Sequence, residues 1–354
     1  MNNIKSAKSI KIAGGGIAGL SAAIKLKLNG FDPIIYEKED KIGLGRHDDF
    51  EGIENWIFSN EMQPFFKKIG FDFNKIDSYP ISRFTIHTIS KEPFTIFQNK
   101  PFFYMIKRGS SYNSLDTQLF NQCAEEGVKF NFGQMAPNDC EIIATGTSKA
   151  AAYIRGINFK TKLKDQVHLL LGNKFASKGY AYLIIINGEG TLATAYKKTK
   201  NSQIDSIKNC IKYFNSIGIK ISDGNFFASR GSFSLPFGKL KSPYRIGEAG
   251  GYQDYLFGFG IRMSMLSGMA AALKIIGENS KAKRIINSLN QKRRLSFINR
   301  ILYEKLDDTQ MEMMAHKILM SNDAVKILSG VYSWNVKNLL RWISFKNQYE
   351  VRIS

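Results

Sequence analysis

Hydrophobic positions along the chain fall into short blocks with distinct periods. Residues 9–14 (SIKIAG) form an apolar run of strand length, and 17–29 (IAGLSAAIKLKLN) set Ile17, Leu20, Ile24 and Leu28 on one helical stripe. Gly30 supplies the stop. Residues 33–37 (PIIYE) are a second apolar run that ends in an acid. Strand, helix and strand within about 30 residues mark the start of a βαβ unit. Residues 38–80 read as loop-rich, with glycines at 43, 45 and 52 and a helix near 60–69.

Alternation returns at 81–107, where Phe84, Ile86, Ile89, Phe94 and Ile96 predict strands. Residues 112–126 predict an amphipathic helix, 128–132 a strand, and 141–146 (EIIATG) a buried strand ending in a glycine turn. Strand candidates then dominate 150–245 (VHLLLG, GYAYLIII, TLATAY), with a helix near 202–216. Residues 246–250 (IGEAG) read as a strand-like glycine turn, and 258–276 as a helix. The pattern predicts an α/β chain whose Rossmann-like domain is discontinuous, 1–150 with 240–280. A β-rich substrate domain, 150–240 with 80–105 as a possible addition, is inserted into it. A helical C-terminal region, 280–354, follows.

Composition narrows the picture. The 354 residues are 44% hydrophobic and 23% charged, as in a globular protein with a full core. Fifty Lys plus Arg against thirty Asp plus Glu give a net charge of +20, which favours anionic partners or simply a basic, soluble surface. Cys123, Cys140 and Cys210 lie far apart, without the spacing of a zinc site or a disulfide framework, so no metal is expected. The N-terminus lacks a signal-peptide pattern, and no apolar run approaches the ~20 residues of a spanning helix. These features predict a cytoplasmic protein, with peripheral attachment to the inner face of a membrane left open. Nothing beyond charge suggests nucleic acid.

The strongest chemistry lies in Gly14-Gly15-Gly16-Ile17-Ala18-Gly19, a GxGxxG between a strand and a helix. Gly14 permits a tight turn, Gly16 lets backbone approach a pyrophosphate, and Gly19 lets the helix pack on the strand. The helix N-terminus presents unpaired N–H groups and partial positive charge to phosphates. Glu37, followed by Lys38, ends the second strand, where its carboxylate suits ribose hydroxyls and disfavours a 2′-phosphate. A glycine turn without a ligand is the bland alternative.

Two further segments bring in a family. Ile246-Gly247-Glu248-Ala249-Gly250-Gly251, followed by Leu256-Phe257-Gly258-Phe259-Gly260-Ile261, resembles the second flavin motif of the group A flavoproteins, which include para-hydroxybenzoate hydroxylase-like monooxygenases and geranylgeranyl reductases. The resemblance covers about residues 8–275 and is specific at the two glycine motifs. It implies a Rossmann-like FAD-binding domain, with FAD as cofactor held additionally by Gly247, Glu248, Gly258, Gly260 and Ile261. Glu248 stands where the family has aspartate, and Tyr255 where proline is usual, so a different shape is expected for that loop. Arg108 resembles the family's cofactor-contacting arginine before a helix, here the one containing Asp116 and Leu119, and Arg46 a second; either is otherwise a surface charge. Ala144, Thr145 and Gly146 occupy the place of the turn that passes beneath the adenosine half.

The resemblance further implies hydride transfer from reduced flavin to a C=C bond of an isoprenoid or other apolar substrate. The electron donor, NAD(P)H or ferredoxin, stays open. Gly179-Tyr180-Ala181-Tyr182 partly matches the aromatic motif of geranylgeranyl reductases, and an ordinary strand with two tyrosines on one face explains it equally. Candidate catalytic groups are His47, Asp48, Tyr180, Tyr182 and Tyr255. Residues 47–56 (HDDFEGIENW) line the pocket or form a surface Ω-loop anchored by Trp56. Phe102, Phe103, Tyr104, Phe226, Phe227, Phe233 and Phe237 enclose an apolar substrate or fill core. Arg293, Arg294 and Arg300, beside Leu295, Phe297, Ile298, Ile301 and Leu302, rest on anionic lipid or pack on their own domain. The rival readings are a flavin monooxygenase acting on an aromatic or lipid, and an FAD-binding redox-sensing or interaction protein. A halogenase is disfavoured by the absence of its WxWxIP motif.

Overall fold

The computed structural model describes residues 8–58, 61–147, 152–197, 205–231, 240–321 and 323–348, with side chains as far as 345. Three sheets organise them. The first is parallel, in the order Tyr244–Arg245 (β15), Ile142–Ile143 (β9), Ser9–Ala13 (β1), Asp32–Tyr36 (β2) and Lys129–Asn131 (β8). Ile12 pairs with Ile35 on one side and Ile142 on the other, and all three are buried. Helices cover the sheet: Ile17–Lys27 (α1), Leu115–Glu125 (α3) and Ile261–Ile276 (α5). Every residue of α5 from Ile261 to Leu273 is buried, the mark of a helix enclosed on all sides. α1 and α5 touch backbone to backbone: a Cβ on Gly268 would lie 2.2 Å from the Ala18 carbonyl oxygen.

The second sheet has seven strands, ordered Gly224–Gly231 (β14), Ala152–Lys160 (β10), Glu189–Tyr196 (β13), Tyr180–Ile186 (β12), Gln166–Leu171 (β11), Arg83–His87 (β5) and Phe94–Phe97 (β6). It draws strands from both sides of the parallel sheet's sequence. Alternation decides its two faces. Ala181, Leu183 and Ile185 join Leu170 and Leu192 in a core closed by Ile207, Cys210 and Phe214 of Ser206–Ser216 (α4). Tyr180, Tyr182 and Ile184, with Val167, Leu169 and Leu171, face the opposite way, into a cavity.

A third, three-stranded antiparallel sheet joins Asp49–Glu54 (β3), Phe103–Arg108 (β7) and Ser78–Ile81 (β4), with Met62–Ile69 (α2) nearby. Of the two readings of 47–56, the surface Ω-loop is replaced by β3, and His47, Asp49, Phe50, Glu51, Gly52 and Trp56 line the cavity. The β3 acids Asp49 and Glu54 are buried, so the segment shows no apolar period although it is a paired strand. Phe102 is likewise core and does not line the cavity, while Phe226 is exposed on β14. Phe233 and Phe237 lie outside the described residues.

The C-terminal region is four helices: Asn279–Tyr303 (α6), Asp308–Leu319 (α7), Ala324–Val331 (α8) and Val336–Gln348 (α9). α6 packs on α5, and its tail is tied to the second sheet. Tyr303 donates to the Gly179 carbonyl at 2.6 Å, Arg300 to that of Lys178 at 2.7 Å, and Lys197 pairs with Glu304 at 2.7 Å. Glu312 of α7 reaches the turn after β5, accepting from Ser90 and pairing with Lys91 at 3.1 Å. The lipid-facing reading of α6 fails here: Arg293, Leu295, Ile298, Arg300 and Ile301 are all buried against the chain itself. Their spacing reported an apolar stripe, and a stripe packs on protein as readily as on lipid. No helix among the described residues is long and apolar enough to cross a membrane.

Candidate active site

The two glycine turns open onto one continuous cavity of about 1390 Å³. That exceeds the roughly 300–1,000 Å³ of a single small-molecule pocket and leaves room for two ligands. At one end, α1 begins at Ile17 with Gly16 as its N-cap and no side chain capping it. Its first-turn amides therefore meet the cavity directly and carry the helix's partial positive charge. The three motif glycines divide the work. Gly14 has φ +98° and a Cβ there would lie 2.5 Å from the Ala144 oxygen; on Gly19 it would lie 2.2 Å from the Gly14 oxygen. On Gly16 it would meet nothing within 4 Å. Gly14 and Gly19 are packing positions, and Gly16 is the open floor of a cradle.

Glu37 stands beside that floor, where its carboxylate accepts from the backbone N–H of Gly15 at 2.8 Å and Glu39 at 3.1 Å. Ile17, Ala18, Ala144, Thr145 and Gly146 also line this end, and Lys38 reaches its rim while paired with Glu39 at 2.9 Å. Gly19 sits behind, in the helix packing.

The second turn closes the cavity from the other side. Gly247 donates its N–H to Ser267 at 2.8 Å, and Gly258, Gly260 and Ile261 line the wall as α5 begins, again with no side-chain cap. Between the turns runs a ladder of charges. Arg46 pairs with Glu51 at 3.1 Å and Glu248 at 3.7 Å. Arg108 grips Asp116 through Nε at 2.7 Å and Nη2 at 3.0 Å, and reaches Glu51 at 3.1 Å. Burial pushes the Asp116 carboxyl up, but the Arg108 guanidinium outweighs it and holds Asp116 below the ordinary carboxylate range. Burial raises Glu248, against the pull of Arg46. Arg108 is thus a buried strut in the wall, and Arg46, a third exposed, is the more accessible cation.

The catalytic candidates separate by what their polar atoms already do. His47 stacks on Phe227 with ring centroids 5.0 Å apart, and its Nε2 lies 3.2 Å from the Ala228 oxygen, at the cavity edge. Asp48 turns away, adopting φ 57° and accepting from the Ser111 N–H at 2.8 Å. Tyr180 donates to the Phe257 carbonyl. Tyr182, beside it, has no hydrogen bond to a described residue, and burial holds its hydroxyl far above the usual value, so it stays protonated. Tyr255 donates to the Gly251 oxygen at 3.0 Å and accepts from Arg293 at 3.1 Å, which locks it against α6.

Two acids stand outside the set of candidate catalytic groups named from the sequence. Asp49, the first residue of β3, lines the cavity, and burial together with the neighbouring Glu51 raises its carboxyl to about 7. Asp254 accepts from the Phe257 N–H at 2.8 Å and from the Tyr332 hydroxyl at 2.8 Å, fixing the loop that holds Tyr255. The available signal for Asp49 was an acid in a stretch that also holds Phe50 and Ile53, a strand-like mixture hidden by its neighbouring charges.

Beyond the tyrosines the cavity becomes apolar. Trp56, Phe84, Ile86, Phe103 and Leu169 form one side, and Leu306, Met314, Ile318, Leu328 and Val331 of the C-terminal region form the other. Of the aromatic set expected around an apolar substrate, Phe103 and Phe227 line the cavity, Phe227 at its edge against His47.

Residues 12–67 match the family described as NAD(P)-binding Rossmann-like domain. No curated protein is similar in sequence. Among solved structures, a geranylgeranyl bacteriochlorophyll reductase-like protein from Thermoplasma acidophilum is similar with a TM-score of 0.67 at 17% identity, covering 96% of each chain. The flavin-dependent brominase Bmp2 gives 0.63 at 14% identity, over 96% of this chain and 98% of that one. The 2-methyl-3-hydroxypyridine-5-carboxylic acid oxygenase gives 0.57 at 13% identity, over 95% and 99%. The chain thus has an NAD(P)-binding Rossmann-like domain over residues 12–67 and, along its length, a fold similar to those of these three solved structures.

Proposed function

We propose that this chain binds FAD in the cavity and reduces a C=C bond of an isoprenoid or other long apolar substrate. The observation that carries the reading is the form of the cavity: a polar cradle between two helix N-termini opens into an apolar chamber. The residues present fit such a cofactor. Gly16 leaves its floor open, the uncapped ends of α1 and α5 offer amides to phosphates, Glu37 offers a carboxylate to ribose, and Arg46 with Glu248 suits hydroxyls further along. The similarity in fold to a geranylgeranyl bacteriochlorophyll reductase-like protein supports the same reading.

The chemistry that FAD supplies when bound is delivery of hydride. The chain's own part is to orient an alkene, exclude water and provide a proton. The apolar wall of Leu169, Phe103, Leu328 and Val331 excludes water and takes the hydrocarbon. Asp49 keeps a proton on its carboxyl oxygen near neutrality, and Tyr182 keeps one on its hydroxyl. The Tyr180 hydroxyl is committed to Phe257 and positions the loop at 257–260.

The deciding experiment loads the protein with FAD, reduces it anaerobically and mixes it with a polyprenyl lipid. Reoxidation with a saturated product is expected. Reoxidation only by oxygen, with a hydroxylated product, establishes the monooxygenase instead. A flavin that neither alkene nor oxygen reoxidises establishes a non-catalytic FAD-binding protein.

A further inference from the structure

Helix α9 has two apolar faces, and among the described residues only one is covered. Inward, Asn338, Trp342 and Phe345 pack on α6 and its C-terminal end. The Arg294 guanidinium lies 5.3 Å from the centre of the Trp342 ring, Phe297 meets that ring at 6.4 Å, and the Lys305 ammonium lies 5.6 Å above Phe345. Outward, Val336, Leu339, Leu340 and Ile343 are 75%, 50%, 62% and 51% exposed. Their spacing, i, i+3, i+4 and i+7, makes a continuous stripe. Scattered exposed leucines need no explanation, but a whole helical face of large aliphatic side chains in water does.

Charge says what covers it. α9 contains no acid, and Lys337 and Arg341 flank the stripe. The segment 280–354 holds fourteen Lys and Arg against six Asp and Glu, and the whole chain carries +20. A second copy would bring the same charge to the same face, which opposes association. An anionic bilayer supplies opposite charge at its surface and hydrocarbon just beneath, and both attractions then act together.

We infer that α9 lies in the headgroup layer of an anionic lipid bilayer, with Val336, Leu339, Leu340 and Ile343 turned towards the acyl chains. This goes beyond the flavin reading and does not rest on it. Docking there brings α8, whose Leu328 and Val331 line the chamber, next to the lipid, because only a short turn separates α8 from α9.

The test uses the full chain, with and without bound flavin, and vesicles of phosphatidylglycerol or of phosphatidylcholine. The protein should co-sediment with the first and not the second. The triple variant Leu339→Gln, Leu340→Gln, Ile343→Gln keeps every charge and should bind at least about tenfold more weakly with an unchanged melting temperature. In a separate variant, Ile343→Trp, tryptophan emission should shift to the blue on adding phosphatidylglycerol vesicles. Equal binding by the triple variant, or no binding by the unaltered chain, overturns the inference. So does concentration-dependent self-association that the triple variant abolishes in the absence of lipid, since the stripe would then serve a second copy. Failure of the flavin reading would leave all these outcomes unaffected.

Discussion

A methyl group added at position 16 meets open space, whereas one at position 19 runs into the Gly14 carbonyl 2.2 Å away. The two glycines of one motif therefore fail differently when replaced. Gly16→Ala should leave the melting temperature of cofactor-free protein unchanged and weaken FAD binding, read by flavin titration, by about tenfold or more. Gly19→Ala should lower the melting temperature before any cofactor is added, by about 1–3 kcal/mol of stability. At the opposite wall, Asp49→Asn removes the raised carboxyl but keeps its shape. Alkene reduction should fall about 10²–10⁴-fold with flavin binding intact. In the unaltered protein the rate should decline as pH rises through about 7, where Asp49 loses its proton, and the variant's profile should lose that limb. These differences were only half readable beforehand. The glycine spacing shows which backbone positions are special, but Asp49 and Arg108 are placed by partners from other strands and helices. A buried charge pair leaves no period along its own segment.

Among the elements, the strands and helices with a clean apolar period were legible. β1, α1 and β2 stand where SIKIAG, IAGLSAAIKLKLN and PIIYE placed them, and β11 to β13 follow the apolar runs of the second domain. β3 was hidden because Asp49 and Glu54 are buried acids, one in the cavity wall and one beside Arg262 at 3.8 Å. α6 misled in the other direction: Arg293 and Arg300 are buried, the first held by the Tyr255 hydroxyl and the second by Glu304. The contact of α6 and α8 with the loop after the second glycine turn has a measurable effect. Tyr332→Phe removes one of the hydrogen bonds that Asp254 accepts, so calorimetry should show a loss of about 1–3 kcal/mol. Alkene reduction should fall with it, because the loop that Asp254 holds carries the Phe257 carbonyl engaged by Tyr180.

For the molecule as a whole, pH acts through buried groups of both signs. On the back of the second sheet the Tyr213 hydroxyl lies 2.9 Å from His87 Nδ1, and His87 Nε2 lies 2.8 Å from His168 Nδ1. Burial lowers both histidines from 6.5 to about 4, so the unfolded chain binds more protons between those values and stability drops as pH falls through that window. Glu54 and Asp49 behave oppositely. Burial raises them to about 8 and about 7, so the folded chain binds more protons and stability drops as pH rises towards those values. Above about 6.5 the histidines contribute no further slope and only the carboxyls remain. The melting temperature should therefore fall between about pH 6.5 and 8, and Glu54→Gln should flatten the upper part of that fall.

The backbone contact between α1 and α5 bears on how far the chain can be divided. The matched stretch at 12–67 holds a complete glycine signature, yet the flank of α1 around Ala18 is sealed by Gly268, some two hundred and fifty residues later. A piece cut at residue 150 would keep every letter of that signature and lose the surface against which it is braced. The cradle at the start of α1 is therefore a property of two distant stretches pressed into one body, and neither stretch inherits it alone.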